Sequence, residues 1–177
     1  GFMTILEIRI VPDPILKIKA HKIKKIDDSI KTLALDMFET LQDAHGVGLA
    51  ANQVGVLKRI AVIQTSLEDE PIYIINPEIT EMSGEREVEE GCLSVPGYIG
   101  NIFRSENVKV KALNLDGKRI KIDATGLLAQ ALEHEIDHLN GILYLDHLKS
   151  HESLRKITDE TETDTEDEEV SAKETTS

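Results

Sequence analysis

The sequence predicts an α+β domain, with antiparallel sheets packed around a central helix that carries a His-Glu-x-x-His run. Three observations lead there. One helical period is followed by several short strand-like runs and then by a second helical stretch, an order that fits α+β rather than alternating βα units. Asp116-Gly117 lies between two alternating runs and predicts an antiparallel hairpin. The second helical stretch is apolar on two sides, as a buried helix would be.

In chain order, Val11-Pro12-Asp13-Pro14 reads as a rigid extended or turn segment, because each proline fixes φ and restrains the residue before it. Asp27-Asp28 can cap a helix running to about Ala44. Ile30, Leu33, Ala34, Met37, Phe38 and Leu41 follow its 3.6-residue period, and Gly46 is expected to end it. GVGLAANQVG (46–55) is expected to be a glycine-bearing connection. Residues 59–64 and 72–76 read as strands, with Asn76-Pro77 closing the second. Residues 107–114 alternate as a half-buried strand should, and pair through the hairpin with 118–123. A helix over 125–140 follows, then a shorter helical segment over about 148–157. There is no internal repeat.

One domain over 1–157 accounts for the body, with an acidic tail at 158–177. That tail holds nine Asp or Glu against one lysine, so −8 of the net −13 sits there and −5 on the remainder. Val170 is its one large aliphatic, too little apolar surface to offset ordering, and disorder is expected. A solubilising appendage is a more economical reading than a dock for a basic partner. The acidic body makes nucleic acid a poor ligand. A single cysteine rules out an internal disulfide and favours a reducing compartment. With no apolar run of about 18 residues and no signal pattern, a cytoplasmic address and no membrane contact are expected. Gly1-Phe2 are read as extraneous, with Met3 the natural start.

The chemistry concentrates in LEHEIDHLNG (132–141). At about 100° per residue, His134 and His138 lie some 40° apart on one face, where both imidazoles can reach one cation. Leu128, Leu132, Ile136 and Leu139 make one apolar side. Leu127 and Ala131 flank the His pair on the other, and Gln130, Glu133, Asp137 and Asn140 form the polar side. A His pair at this spacing is often a surface accident, but Glu135 beside the pair, placed to act as a base on activated water, makes that reading rarer. Catalytic zinc sites use three protein ligands. One protease pattern places a third His where Tyr144 stands here. His147 and His151 are candidates on a presumed surface helix, and the tail carboxylates lack a framework. Cys92 in EEGCLSVPG (89–97), read as a glycine-flanked loop, is the best candidate, since a thiolate binds zinc or ferrous iron strongly, although a lone cysteine is commonly an inert buried residue.

GVGLAANQ (46–53), EGCLS (90–94) and HEIDH (134–138) together closely resemble the three signature motifs of the peptide deformylase family, in order and spacing, over about residues 3–157. The resemblance implies Cys92, His134 and His138 as metal ligands, Glu135 as general base, and Gln53 and Leu93 as oxyanion donors. It implies a divalent ion, Fe2+ in the cell and Zn2+ or Ni2+ in a recombinant sample. The implied reaction removes the N-formyl group from formyl-methionyl nascent peptides in a bacterial cytoplasm, releasing formate, with a metal-activated water attacking the formyl carbon. Gly46, Val47 and Gly48 would let substrate backbone approach, and Leu127 with Ala131 would wall a slot for the methionine side chain. A transient ribosome contact goes with such a substrate, though no surface of this acidic chain marks it. Glu133 departs from the glutamine common at that place, and the acidic tail is not part of the family pattern. A zinc endopeptidase and a non-catalytic metal module are the competing readings, the latter requiring a fourth protein ligand.

Overall fold

The computed structural model describes residues 4–157. The readings of Gly1-Phe2 and of the tail at 158–177 lie outside the described residues. Helix α1 (Asp28–Asp43) starts as its sequence dictates: the Asp27 carboxylate accepts the Ile30 N–H at 3.2 Å, satisfying one of the free N–H groups of the first turn. Ile30, Ala34, Met37 and Leu41 form its buried stripe. The chain leaves α1 through His45, which takes φ 55°, so His45 and not Gly46 makes the left-handed turn. Gly46 is needed for room instead, since a Cβ there would come within 2.8 Å of Leu93 and 2.9 Å of Leu41.

The stretch expected as a bare connection folds as strand β1 (Gly48–Ala50) followed by a 3-10 turn (Ala51–Val54). Three residues carry little strand signal of their own, and β1 exists because it pairs antiparallel with β2 (Ile60–Ile63). Strand β3 (Ile72–Ser83) does not stop at Asn76-Pro77 as expected. Asn76 adopts φ 51° and its side-chain amide bonds both the N–H and the C=O of Ile23 at 2.8 Å, so the strand bends and continues. Strands β6 (Asn107–Leu113) and β7 (Arg119–Thr125) form the hairpin that Asp116-Gly117 predicts. The resulting sheet runs β1-β2-β3-β6-β7, antiparallel throughout.

Both faces of that sheet are covered. All four residues of β2 are buried, and strand alternation divides them. Ile60 and Val62 join the cluster with α1, while Ala61 and Ile63 join the cluster with helix α2 (Gly126–Leu139). Each fully buried aliphatic side chain contributes about 1.5–3 kcal/mol, so these two apolar layers fix α1 and α2 on opposite sides of the sheet.

A second antiparallel sheet is built from β4 (Arg86–Cys92), β5 (Val95–Arg104) and β8 (Leu154–Lys156), in that order. This sheet overturns two expectations. Cys92 ends a strand at a register shift instead of lying in a loop, and the segment read as helical over 148–157 is a 3-10 turn (His151–Ser153) leading into β8. No helix of the described residues is long and apolar enough to cross a membrane.

Candidate metal centre

Helix α2 presents His134, Glu135 and His138, all buried, at its C-terminal half. The second sheet brings Cys92 to the same place. Cys92 Sγ lies 3.2 Å from His138 Nε2, and the two His Nε2 atoms are 3.0 Å apart. Among the described residues these three ligand atoms form one group, all within 4.8 Å of one another. Zinc-like bonds of about 2.0–2.3 Å place tetrahedral ligand atoms roughly 3.3–3.6 Å apart, so a single cation fits between a thiolate and two imidazoles set this way.

The orientation of His134 supports the same reading. Its Nδ1 donates to Glu90 Oε2 at 2.6 Å, which fixes the tautomer and leaves the Nε2 lone pair directed at the trio. Burial works against charge on His134, but Glu135, Cys92 and Glu90 outweigh it and raise its pKa. His138, fully buried beside His134, is pushed down instead. Its Nδ1 has no partner among the described residues.

Glu90 and Arg104 were not singled out by sequence reasoning. Arg104 clamps Glu90 with two hydrogen bonds, Nε to Oε1 at 3.1 Å and Nη2 to Oε2 at 2.6 Å, both groups buried. Its Nη1 donates to Asp137 at 2.7 Å and lies 3.7 Å from Glu133, whose Oε1 accepts the Ser105 N–H. The polar side of α2 is therefore no solvated face, because it grips β5. The available signal was an Arg at the end of the apolar run in GNIFR and a Glu two residues before the lone Cys.

A cavity of about 480 Å³ opens over this trio, within the usual range for a small-ligand site. Of the residues predicted for the site, Gly46, Val47, Gly48, Cys92, Leu93 and Leu127 line it, together with Ala131, His134 and Glu135. His138 and Gln53 sit behind that surface, buried. The Gln53 amide is held by the Ala50 N–H on Oε1 at 2.9 Å, and its Nε2 points at Ser94 Oγ (3.1 Å) and Cys92 Sγ (3.6 Å). Glu135 faces the cavity with Oε1 unpartnered among the described residues, and burial raises its pKa to about 7. Gly48 lies so close to this carboxylate that a side chain there would collide with it.

One alternative ligand falls away. His147 bonds Asp137 Oδ2 at 2.8 Å, outside the trio. Tyr144 is buried with its ring stacked on His134, centroids 6.5 Å apart, so it packs against a ligand. Nothing is described of the His151 side chain.

The polypeptide deformylase family profile matches residues 5–154. A peptide deformylase from Dehalococcoides mccartyi is 50% identical over 155 residues, covering 88% of this chain and 93% of that protein. The crystal structure of a peptide deformylase from Legionella pneumophila superposes with a TM-score of 0.81 at 49% identity, over 82% of this chain and 87% of that one. Another, from Ehrlichia chaffeensis in complex with actinonin, gives 0.81 at 43% identity, over 85% and 92%.

Proposed function

The chain belongs to the polypeptide deformylase family, and on that footing we propose which of its residues carry out the reaction. As a peptide deformylase it hydrolyses the N-formyl group from formyl-methionine at the start of nascent polypeptides and releases formate. The observation behind the assignment is the convergence of Cys92, His134 and His138 beside the unpartnered Glu135 carboxylate in one cavity.

Cys92 Sγ and the two His Nε2 atoms would hold the ion, ferrous iron in the cell and zinc or nickel in a recombinant preparation. When bound, the ion polarises the formyl oxygen and lowers the pKa of a water. Glu135, with a pKa near neutrality, would take a proton from the water whose oxygen adds to the formyl carbon and would return it to the departing amine as the C–N bond breaks. Gln53 Nε2 and the Leu93 N–H donate to the carbonyl oxygen as its charge grows, each worth about 10²–10³ in rate. Glu90 keeps His134 in its ligating tautomer. The side-chain-poor Gly46–Gly48 edge pairs with the substrate backbone, and Leu127 and Ala131 wall the methionine slot. We take α2 as the central element of the fold, 1–157 as the catalytic domain, and 158–177 as a disordered acidic appendage. The substrate also puts the enzyme in the bacterial cytoplasm, in transient contact with the ribosome, which co-sedimentation with ribosomes checks.

The test is formate release from a formyl-Met tripeptide by protein purified without oxygen and loaded with ferrous iron. Release is expected to stop with a chelator and in Cys92→Ser. Absence of release from folded, metal-replete protein overturns the assignment.

A further inference from the structure

Part of the cavity wall comes from the C-terminal strand. β8 pairs with β5 through Tyr98↔Lys156, Ile99↔Arg155 and Gly100↔Leu154, and the Ile157 N–H continues the ladder to Gly97 O at 2.7 Å. That register sets Ile157 on the cavity lining with 45% of its surface exposed. Tyr98 and Leu127 line the same cavity and are 38% and 47% exposed. Three large apolar side chains thus stand half in water around one opening, where a ligand could cover them all.

Among the described residues, the acidic group nearest this rim is paired. Glu89 also lines the cavity, but Arg155 Nη2 bonds its carboxylate at 2.6 Å. Lys156 is exposed and lies off the lining. An extended peptide whose formyl group reaches buried His134 and Glu135 can lead its following residues out past this apolar rim.

We propose that Ile157, with Tyr98 and Leu127, is a specificity-determining residue that selects nascent chains bearing an apolar side chain shortly after the formyl-methionine. This rests on the deformylase reading and adds a substrate class to it. Leu127 then forms the edge shared by the methionine slot and the rim. Covering a leucine-sized side chain at such a rim is worth about five- to tenfold in affinity.

The experiment scans Leu, Ser and Glu through the second, third and fourth positions of formyl-Met-Ala-Ser-Ser, measuring kcat and KM with the ferrous enzyme. At one position or more, Leu is expected to exceed Ser by about five- to tenfold in kcat/KM, with the difference in KM. Ile157→Ser should shrink that ratio to within about twofold, whereas Ile157→Val should keep most of it. A wild-type enzyme indifferent to Leu, or an Ile157→Ser enzyme with the wild-type ratio at all three positions, overturns the proposal. Absence of formate from every peptide, the reference included, overturns the deformylase reading instead.

Discussion

Replacing Glu90 by Gln asks how firmly the second sheet is joined to α2. Burial alone would raise the Glu90 pKa, yet hydrogen bonds from His134 and Arg104 bring it from an ordinary 4.5 down to about 2. Each decade of that depression is worth about 1.4 kcal/mol, so the ionised carboxylate contributes about 3 kcal/mol to stability. A second route gives a similar size. Removing one partner of a buried ion pair costs about 3–5 kcal/mol, and because Arg104 keeps Asp137 and Glu133 as partners this variant falls at the lower end. The folded pKa is depressed, so this stability is complete above pH 4.5 and drains away as pH falls toward 2. The assay is urea unfolding of chelator-treated wild type and Glu90→Gln at steps from pH 7 to pH 3. The variant should be weaker by about 3 kcal/mol at pH 7, a drop of roughly 10 °C in Tm. The gap should hold to about pH 4.5 and narrow below it. Equal stability at pH 7, or a gap constant between pH 5 and pH 3, refutes the reasoning.

Two further substitutions address the base. Glu135→Ala should lower kcat by about 10²–10⁴ while bound metal, measured by elemental analysis, stays near one per chain; wild-type turnover would remove Glu135 from its role. Gly48→Ala puts a methyl 2.8 Å from Cδ and 2.9 Å from Cγ of Glu135, so the carboxylate must shift within the cavity it faces. Displacing a reacting group by about 1 Å costs on the order of 10²-fold, so kcat in formate release should fall by that much, and an undisturbed rate would contradict the packing.

Both helices were legible within a residue or so, because each carries its own period and its own ends: Asp27 caps α1 and Asn140 ends α2. The β6–β7 hairpin was equally local. What the sequence hid depends on distant partners. β8 reads as helix on its own, and becomes a strand only because β5 offers an edge. β4 and β5 were obscured by Gly91, Pro96, Gly97 and Gly100, which suggest a loop until the two strands are seen to pair. Within the site, the His-Glu-x-x-His spacing on one helix and the lone cysteine could be read directly. Glu90 and Arg104 could not, since charged residues on strands look solvated until the fold buries them against each other.

The joint between β5 and α2 also has a temperature dependence of its own. α1 is held to the first sheet by an apolar cluster, whereas the ligand-bearing half of α2 is held to the second sheet by Arg104 and the carboxylates of Glu90 and Asp137. The cost of keeping ions out of water falls on heating, while apolar stabilisation per unit area levels off. Warming therefore shifts the balance of cohesion from the α1 side toward the Arg104 side. The Arg104 joint beside His134 should weaken less on heating than the apolar docking of α1.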